Sequence, residues 1–136
     1  MLNSEFRLLA ESLGFYSVKS IVKYLNNFES YSSLTERPVE YWLKGKRTHL
    51  DNVPNEVQEI FIKLRKLQSD LVERELLNLK NGSSCSYKYV YKTDLYMWAS
   101  HPELYGLPVS FLNQIIIRLN LVLDYYENHE LNPNNQ

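Results

Sequence analysis

Apolar side chains recur three and four residues apart along most of this chain, the repeat of a single helical face. Residues 3–13 put Phe6, Leu9, Ala10 and Leu13 on that repeat, with Asn3 or Ser4 placed to cap and Gly14 placed to stop the helix. After a short turn, Ser17 caps a second helix carrying Val18, Ile21, Val22 and Leu25. Residues 26–34 are polar and rich in turn formers, which predicts a loop or a ragged helix end. A third helix follows, with Thr35 as its cap, Pro38 in its first turn, and Val39, Trp42 and Leu43 facing inward. Gly45 is placed to end it in a left-handed cap. The pair Val53-Pro54 opens a fourth, long helix with Pro54 at its first position and an inward stripe of Val57, Ile60, Leu64, Leu67 and Leu71.

The run NGSS at 81–84 is the one convincing boundary, and beyond it the texture changes. Residues 87–92, YKYVYK, alternate large apolar residues with lysine, the period of a half-buried strand. Thr93 or Asp94 can cap a short helix that His101-Pro102 halts. Pro108 then opens a helix of about twenty residues in which Val109, Leu112, Ile116, Leu119, Leu123 and Tyr126 form one stripe. Ile115, Ile117, Leu121 and Val122 lie off that stripe, so the helix is apolar over more than half its circumference. Such a helix is central to a core or shared between subunits. The pattern as a whole predicts a mainly α protein. A helix-turn-helix bundle of four to five helices over 1–80 precedes a small α+β dimerisation domain over 84–131.

Composition narrows the function classes. The chain has 136 residues, 44% apolar and 23% charged, which suits a folded soluble protein. A net charge of −1 gives no global polyanion-binding signature, so any nucleic-acid surface must arise from local segregation of charge. Acids inside the first apolar run argue against a secretory signal, and no apolar stretch is long enough to span a bilayer. The lone Cys85 fits a reducing, cytoplasmic setting and has no basic neighbour to activate it. His49, His101 and His129 stand apart, without second ligands at metal spacing, and neither a cofactor nor a metal is expected. No phosphate-binding glycine loop or nucleophile elbow occurs, so an enzyme is not expected. The 11 tyrosines suit half-wet surfaces, interfaces included.

Two short amphipathic helices, a third bearing a tryptophan and a fourth begun by a proline follow the order of a helix-turn-helix domain. In that reading Val39, Trp42 and Leu43 dock the recognition helix. Thr35, Glu36, Arg37, Glu40 and Lys44 face bases and phosphates, and Lys46 and Arg47 meet the phosphate backbone beyond the helix end. Taken alone, the same pattern also describes an ordinary amphipathic helix with a solvated charged face.

The segment VEYWLKGKR at 39–47, followed by VPNEV at 53–57 and a long helix, resembles the pattern of XRE-type helix-turn-helix regulators. More narrowly it is similar to the YdiL-like family, which includes anti-CRISPR-associated repressors. The segment YKYVYKTDLYMW at 87–98, the His-Pro break and the late hydrophobic helix are compatible with it. The resemblance implies an autoregulatory repressor that binds an inverted repeat in double-stranded DNA as a homodimer. It places Trp42 as the anchor of the recognition helix, Gly45 as its cap, and Arg37, Glu40, Tyr41 and Lys44 at or beside the DNA. RNA binding, known for some such proteins, is left open. The dimer is expected through Tyr87, Tyr89, Tyr91, Leu112, Ile116, Leu119 and Leu123. The alternative is an antitoxin or adaptor that keeps the fold and binds protein instead of DNA, which the net acidity and the tyrosine-rich second half would suit.

Overall fold

Phe61 is fully buried, with the rings of Phe6 and Phe15 standing 5.0 and 5.1 Å from its own. Trp42 packs edge-on against Phe6 at 6.3 Å, and Tyr24 edge-on against Phe61 at 6.4 Å. Rings that meet in this way contribute roughly 0.5–1.5 kcal/mol per pair beyond their buried area. The five rings come from four helices and a turn, so one aromatic cluster joins the first half of the chain.

The structure, a computed structural model, describes residues 1–44 and 52–125. Among them run six α-helices: α1 (Asn3–Ser12), α2 (Val18–Leu25), α3 (Glu36–Lys44), α4 (Asn55–Lys80), α5 (Asp94–Ser100) and α6 (Val109–Tyr125). Single 3-10 turns occur at Glu29–Tyr31 and Pro102–Leu104. Helix α3 lies against α1 and α2, α4 passes beneath α1, and α6 lies along α4.

The ends of these helices follow the chemistry of their flanking residues. Ser17 caps α2 by accepting the N–H of Ser20 at 3.1 Å, and Thr93 caps α5 by accepting that of Tyr96 at 3.3 Å. Helix α1 begins at Asn3, one position earlier than a cap at that residue would place it. The Glu5 carboxylate accepts the Leu2 N–H at 2.6 Å, while the Asn3 amide donates across to the Trp42 carbonyl at 3.0 Å and ties α1 to α3. Pro54 stands just before α4 rather than inside it; the Gln58 side chain closes that end on the Val53 carbonyl at 2.9 Å.

Two further expectations are corrected. The inward stripe of α4 is Val57, Phe61, Leu64, Gln68, Leu71, Val72 and Glu75, with Ile60 only partly buried and Leu67 turned outward at 36% exposure. Gln68 takes the inward place because its amide meets partners there: it donates to the Phe111 carbonyl at 3.3 Å and accepts from Arg118 at 3.3 Å. Residues 87–92 form no strand, and no strand occurs among the described residues, so the expected α+β character of the second half is not found there. The segment has only Tyr87 buried and Tyr91 half-buried, while residues 88–90 are exposed in a row, so it forms no alternating dry face. Its anchors are side chains on α4 and around the 3-10 turn at 102–104.

The run at 81–84, expected as the boundary, has a definite place in the structure. It is the left-handed end of α4, but the buried cluster runs across it from Phe6 to Leu119. The two halves also bond directly. Ser110 donates its hydroxyl to the Gly14 carbonyl, Gln114 donates to the Tyr16 hydroxyl, and Lys23 pairs with Asp94 at 3.3 Å. Asp94 in turn accepts the Val109 N–H at 2.8 Å, capping α6 from the first turn of α5.

Candidate nucleic-acid interface

Helix α3 is positioned by its buried side. Val39 is fully buried, Trp42 is nearly so, and Leu43 packs partly buried against the same cluster. Pro38 sits at the third residue of the helix, where an unpaired N–H would otherwise stand, so its ring removes an orphan donor at no loss to the ladder. The connector from α2 to α3 spans residues 26–35, longer than the three or four residues of a tight helix-turn-helix corner. It is braced from within: the Asn26 amide donates to the carbonyls of Tyr31 at 2.8 Å and Leu34 at 3.3 Å.

Opposite the buried side, Arg37, Glu40, Tyr41 and Lys44 fall at i, i+3, i+4 and i+7, one outward stripe. Arg37 and Lys44 are exposed, and Glu40 and Tyr41 are half-buried. Thr35 and Glu36 are exposed at the start of the helix. The residues expected to face DNA and lying among those described are therefore gathered on one side and one end of α3. Gly45, Lys46 and Arg47, expected as the cap and the phosphate contacts, lie outside the described residues. Within the stripe, Nε and Nη2 of Arg37 each donate to the Tyr41 hydroxyl at 3.4 Å, and the guanidinium carbon lies 5.9 Å from the ring centre. That hydroxyl raises the Arg37 pKa further still, so the side chain is a permanent cation. Two cations and two carboxylates alternate along this surface, and its own field is close to neutral.

The residues expected at a dimer interface are dispersed. Tyr87, Leu112 and Leu119 are buried within their own chain, and Ile116 packs partly buried against the same core. Within this chain they are core residues: Leu112, Ile116 and Leu119 share the face of α6 that lies against α4, and Tyr87 is held over α4 by Arg74 and Glu103. Tyr89 is 53% exposed, while Tyr91 is half-buried with its hydroxyl 3.2 Å from His101 Nε2. The Leu123 side chain lies outside the description. The outward face of α6 instead carries Ile117, 48% exposed, and Leu121, 65% exposed.

A second polar constellation was not anticipated. Glu75 is fully buried on α4, accepting the Ser86 N–H at 2.6 Å and pairing with Arg74 at 2.9 Å. Arg74 donates to the Tyr87 hydroxyl at 3.2 Å, and that hydroxyl donates to Glu103 at 2.7 Å. The edge of the His101 ring packs against Tyr87 at 4.9 Å. This chain of contacts fastens residues 85–91 onto α4 in place of a strand ladder. Burial, with help from Glu75, pushes the nearby Cys85 thiol up to about 11, which keeps it protonated and unreactive at neutral pH. One signal in the sequence could have found Glu75: it continues the inward register of 64, 68 and 71–72 along α4.

Among the described residues no three His, Cys, Asp or Glu side chains are grouped to hold a metal ion, and no helix is long and apolar enough to cross a membrane. No family model, curated protein or solved structure matches the chain.

Proposed function

We propose that this chain is a sequence-specific DNA-binding regulator, a homodimeric repressor of its own operon that reads an inverted repeat through α3. The observation that carries the reading is the outward stripe of Arg37, Tyr41 and Lys44 on a helix whose opposite side is locked by Val39 and Trp42. A recognition helix needs this division, with rigid seating on one side and donors long enough to reach base edges on the other. Because Glu36 and Glu40 offset the two cations, non-specific attraction is weak at this surface. Affinity then falls to Lys44 together with Lys46 and Arg47, which follow it after Gly45. The resemblance to YdiL-like regulators over 39–57 points the same way.

Dimerisation in this reading uses a self-complementary patch about a two-fold axis, which spaces the two α3 helices by roughly one turn of DNA or a multiple, about 34 Å each. The surface assigned to it is the outward face of α6 at Ile117 and Leu121. Selection of bound sequences from random DNA tests binding and half-site symmetry together. An enriched inverted repeat is the expected result, and recovery of no sequence at physiological salt would end the proposal.

A second reading is favoured by one specific observation: Tyr89, Val90, Leu95, Tyr96 and Tyr105 are all more than half exposed along residues 89–105. An exposed apolar tract of that kind suits a protein partner. Under this reading the chain is an adaptor or antitoxin, and a gel-shift against its own upstream region gives no competitor-sensitive band.

A further inference from the structure

We infer that Arg37 reads a guanine in the major groove and that Tyr41 is the positioning residue that presents its guanidinium. The inference rests on the DNA-binding reading of α3 and adds to it which base is read, by which side chain, and what orients it. A guanidinium carries two forks of paired donors, one side-on from Nε and Nη2, one end-on from Nη1 and Nη2. In this chain the side-on fork is engaged: both Nε and Nη2 donate to the Tyr41 hydroxyl at 3.4 Å, one helical turn further along. The end-on fork is not engaged by Tyr41. The ring 5.9 Å from the guanidinium carbon adds cation–π attraction and restricts the rotamers that so long an exposed side chain would otherwise sample.

An end-on fork offers two parallel N–H donors, and only guanine presents two adjacent acceptors, O6 and N7, on its major-groove edge. Adenine sets an amino donor beside N7, cytosine offers only a donor, and thymine sets a methyl beside O4, so each leaves at least one N–H unpaired. Lys44 lies two turns from Arg37 on the same stripe, and its single flexible ammonium has no such geometry. The division follows from side-chain shape: Arg37 discriminates, while Lys44 only attracts.

The test compares full-length wild type with Arg37→Ala, Tyr41→Phe and Lys44→Ala, using random-DNA selection followed by competition binding on the selected site. Wild type should require guanine at one position in each half-site, by roughly 5- to 150-fold over the other bases. Arg37→Ala should abolish that preference at that position alone. Tyr41→Phe keeps the ring and the fold and removes only the hydroxyl. It should lower the same preference by about 2- to 12-fold and leave the salt dependence of binding unchanged, a pattern that loss of packing would not produce. Lys44→Ala should weaken all sequences alike. If wild type selects a sequence and Arg37→Ala keeps the guanine requirement, the inference is overturned and the DNA-binding reading survives. An unchanged preference in Tyr41→Phe removes Tyr41 from the role. Selection of no sequence by wild type overturns the DNA-binding reading and this inference with it.

Discussion

Gly14 and Gly82 both stand just past a helix end in the left-handed region, at φ +94° and +86°. Both close the same pair of bonds. After α1, the Gly14 N–H meets the Glu11 carbonyl at 3.0 Å and that of Phe15 meets Ala10 at 2.9 Å. After α4, Gly82 meets Leu79 at 3.1 Å and Ser83 meets Asn78 at 2.8 Å. Their surroundings differ. A Cβ on Gly82 would meet nothing within 4 Å, whereas one on Gly14 would lie 2.5 Å from the Ser110 backbone at the start of α6. Gly82→Ala should therefore cost only the backbone strain, about 1–2 kcal/mol. Gly14→Ala adds a backbone clash that neither helix can relieve alone, and should cost roughly 3 kcal/mol or more. Urea unfolding of the two variants separates these terms, and equal losses would show that the approach of α6 to the first turn is not tight.

At the scale of the element, α3 depends on the contrast between its two sides. The inward spacing of Val39, Trp42 and Leu43 predicts both its existence and its seating, since a short helix must bury one side to persist. Its outward side is decided by register alone, which is why Arg37, Glu40, Tyr41 and Lys44 could be assigned from spacing. If Lys44 contacts a phosphate, Lys44→Ala should reduce the slope of log affinity against log salt by about one, uniformly across DNA sequences. A slope equal to that of wild type would remove Lys44 from the contact surface. Residues 87–92 behave in the opposite way. The alternating sequence predicts one dry face, but Tyr89 and Val90 are both exposed and only Tyr87 is buried, so the segment has neither a strand's dry face nor a strand beside it among the described residues. The side chains of Glu75, Arg74, Tyr87 and Glu103 fasten the segment instead.

For the whole molecule, one core crossing both halves makes stability a shared property, and its pH dependence follows from acids buried within it. Burial pushes the Cys85 thiol from 9.0 up to about 11 and the Tyr24 phenol from 10.0 up to about 12. Tyr87 is raised as well, by burial first and then by its bond to Glu103. Each keeps its proton in the folded chain where the unfolded chain has already lost it. Their contribution is complete below pH 9 and declines as pH rises from 9 through 12. The melting temperature should thus fall steadily between pH 9 and 11; a profile flat over that interval would contradict the burial of these groups. Association belongs to the same scale. With Tyr87, Leu112 and Leu119 committed to the core, the outward face of α6 at Ile117 and Leu121 is the surface the proposed dimer uses. If the chain is the proposed homodimer, replacing both Ile117 and Leu121 by lysine should leave the helical signal intact and convert that dimer to monomer in sedimentation at tens of micromolar. A dimer that survives the double change must use another surface.

The approximate places of the helices, their stops at Gly14 and Asn81-Gly82, the cap at Ser17 and a cap at Thr93 or Asp94 were determined by sequence alone. Periodicity, capping and left-handed glycines act within about a turn of the residue that causes them. The outward stripe of α3 belongs with these, because it follows from the register of Val39 and Trp42. Tertiary structure decided the rest. An apolar residue on a helix as greasy as α6 can face its own core or a partner, and only the position of α4 settles that Leu119 is covered and Leu121 is not. Likewise Glu75 and Gln68 point inward and Leu67 outward because Ser86, Phe111 and Arg118 supply partners 11 to 50 residues away along the chain. Local spacing carries no record of such distant donors and acceptors, and at those positions partners brought together by folding override hydrophobicity.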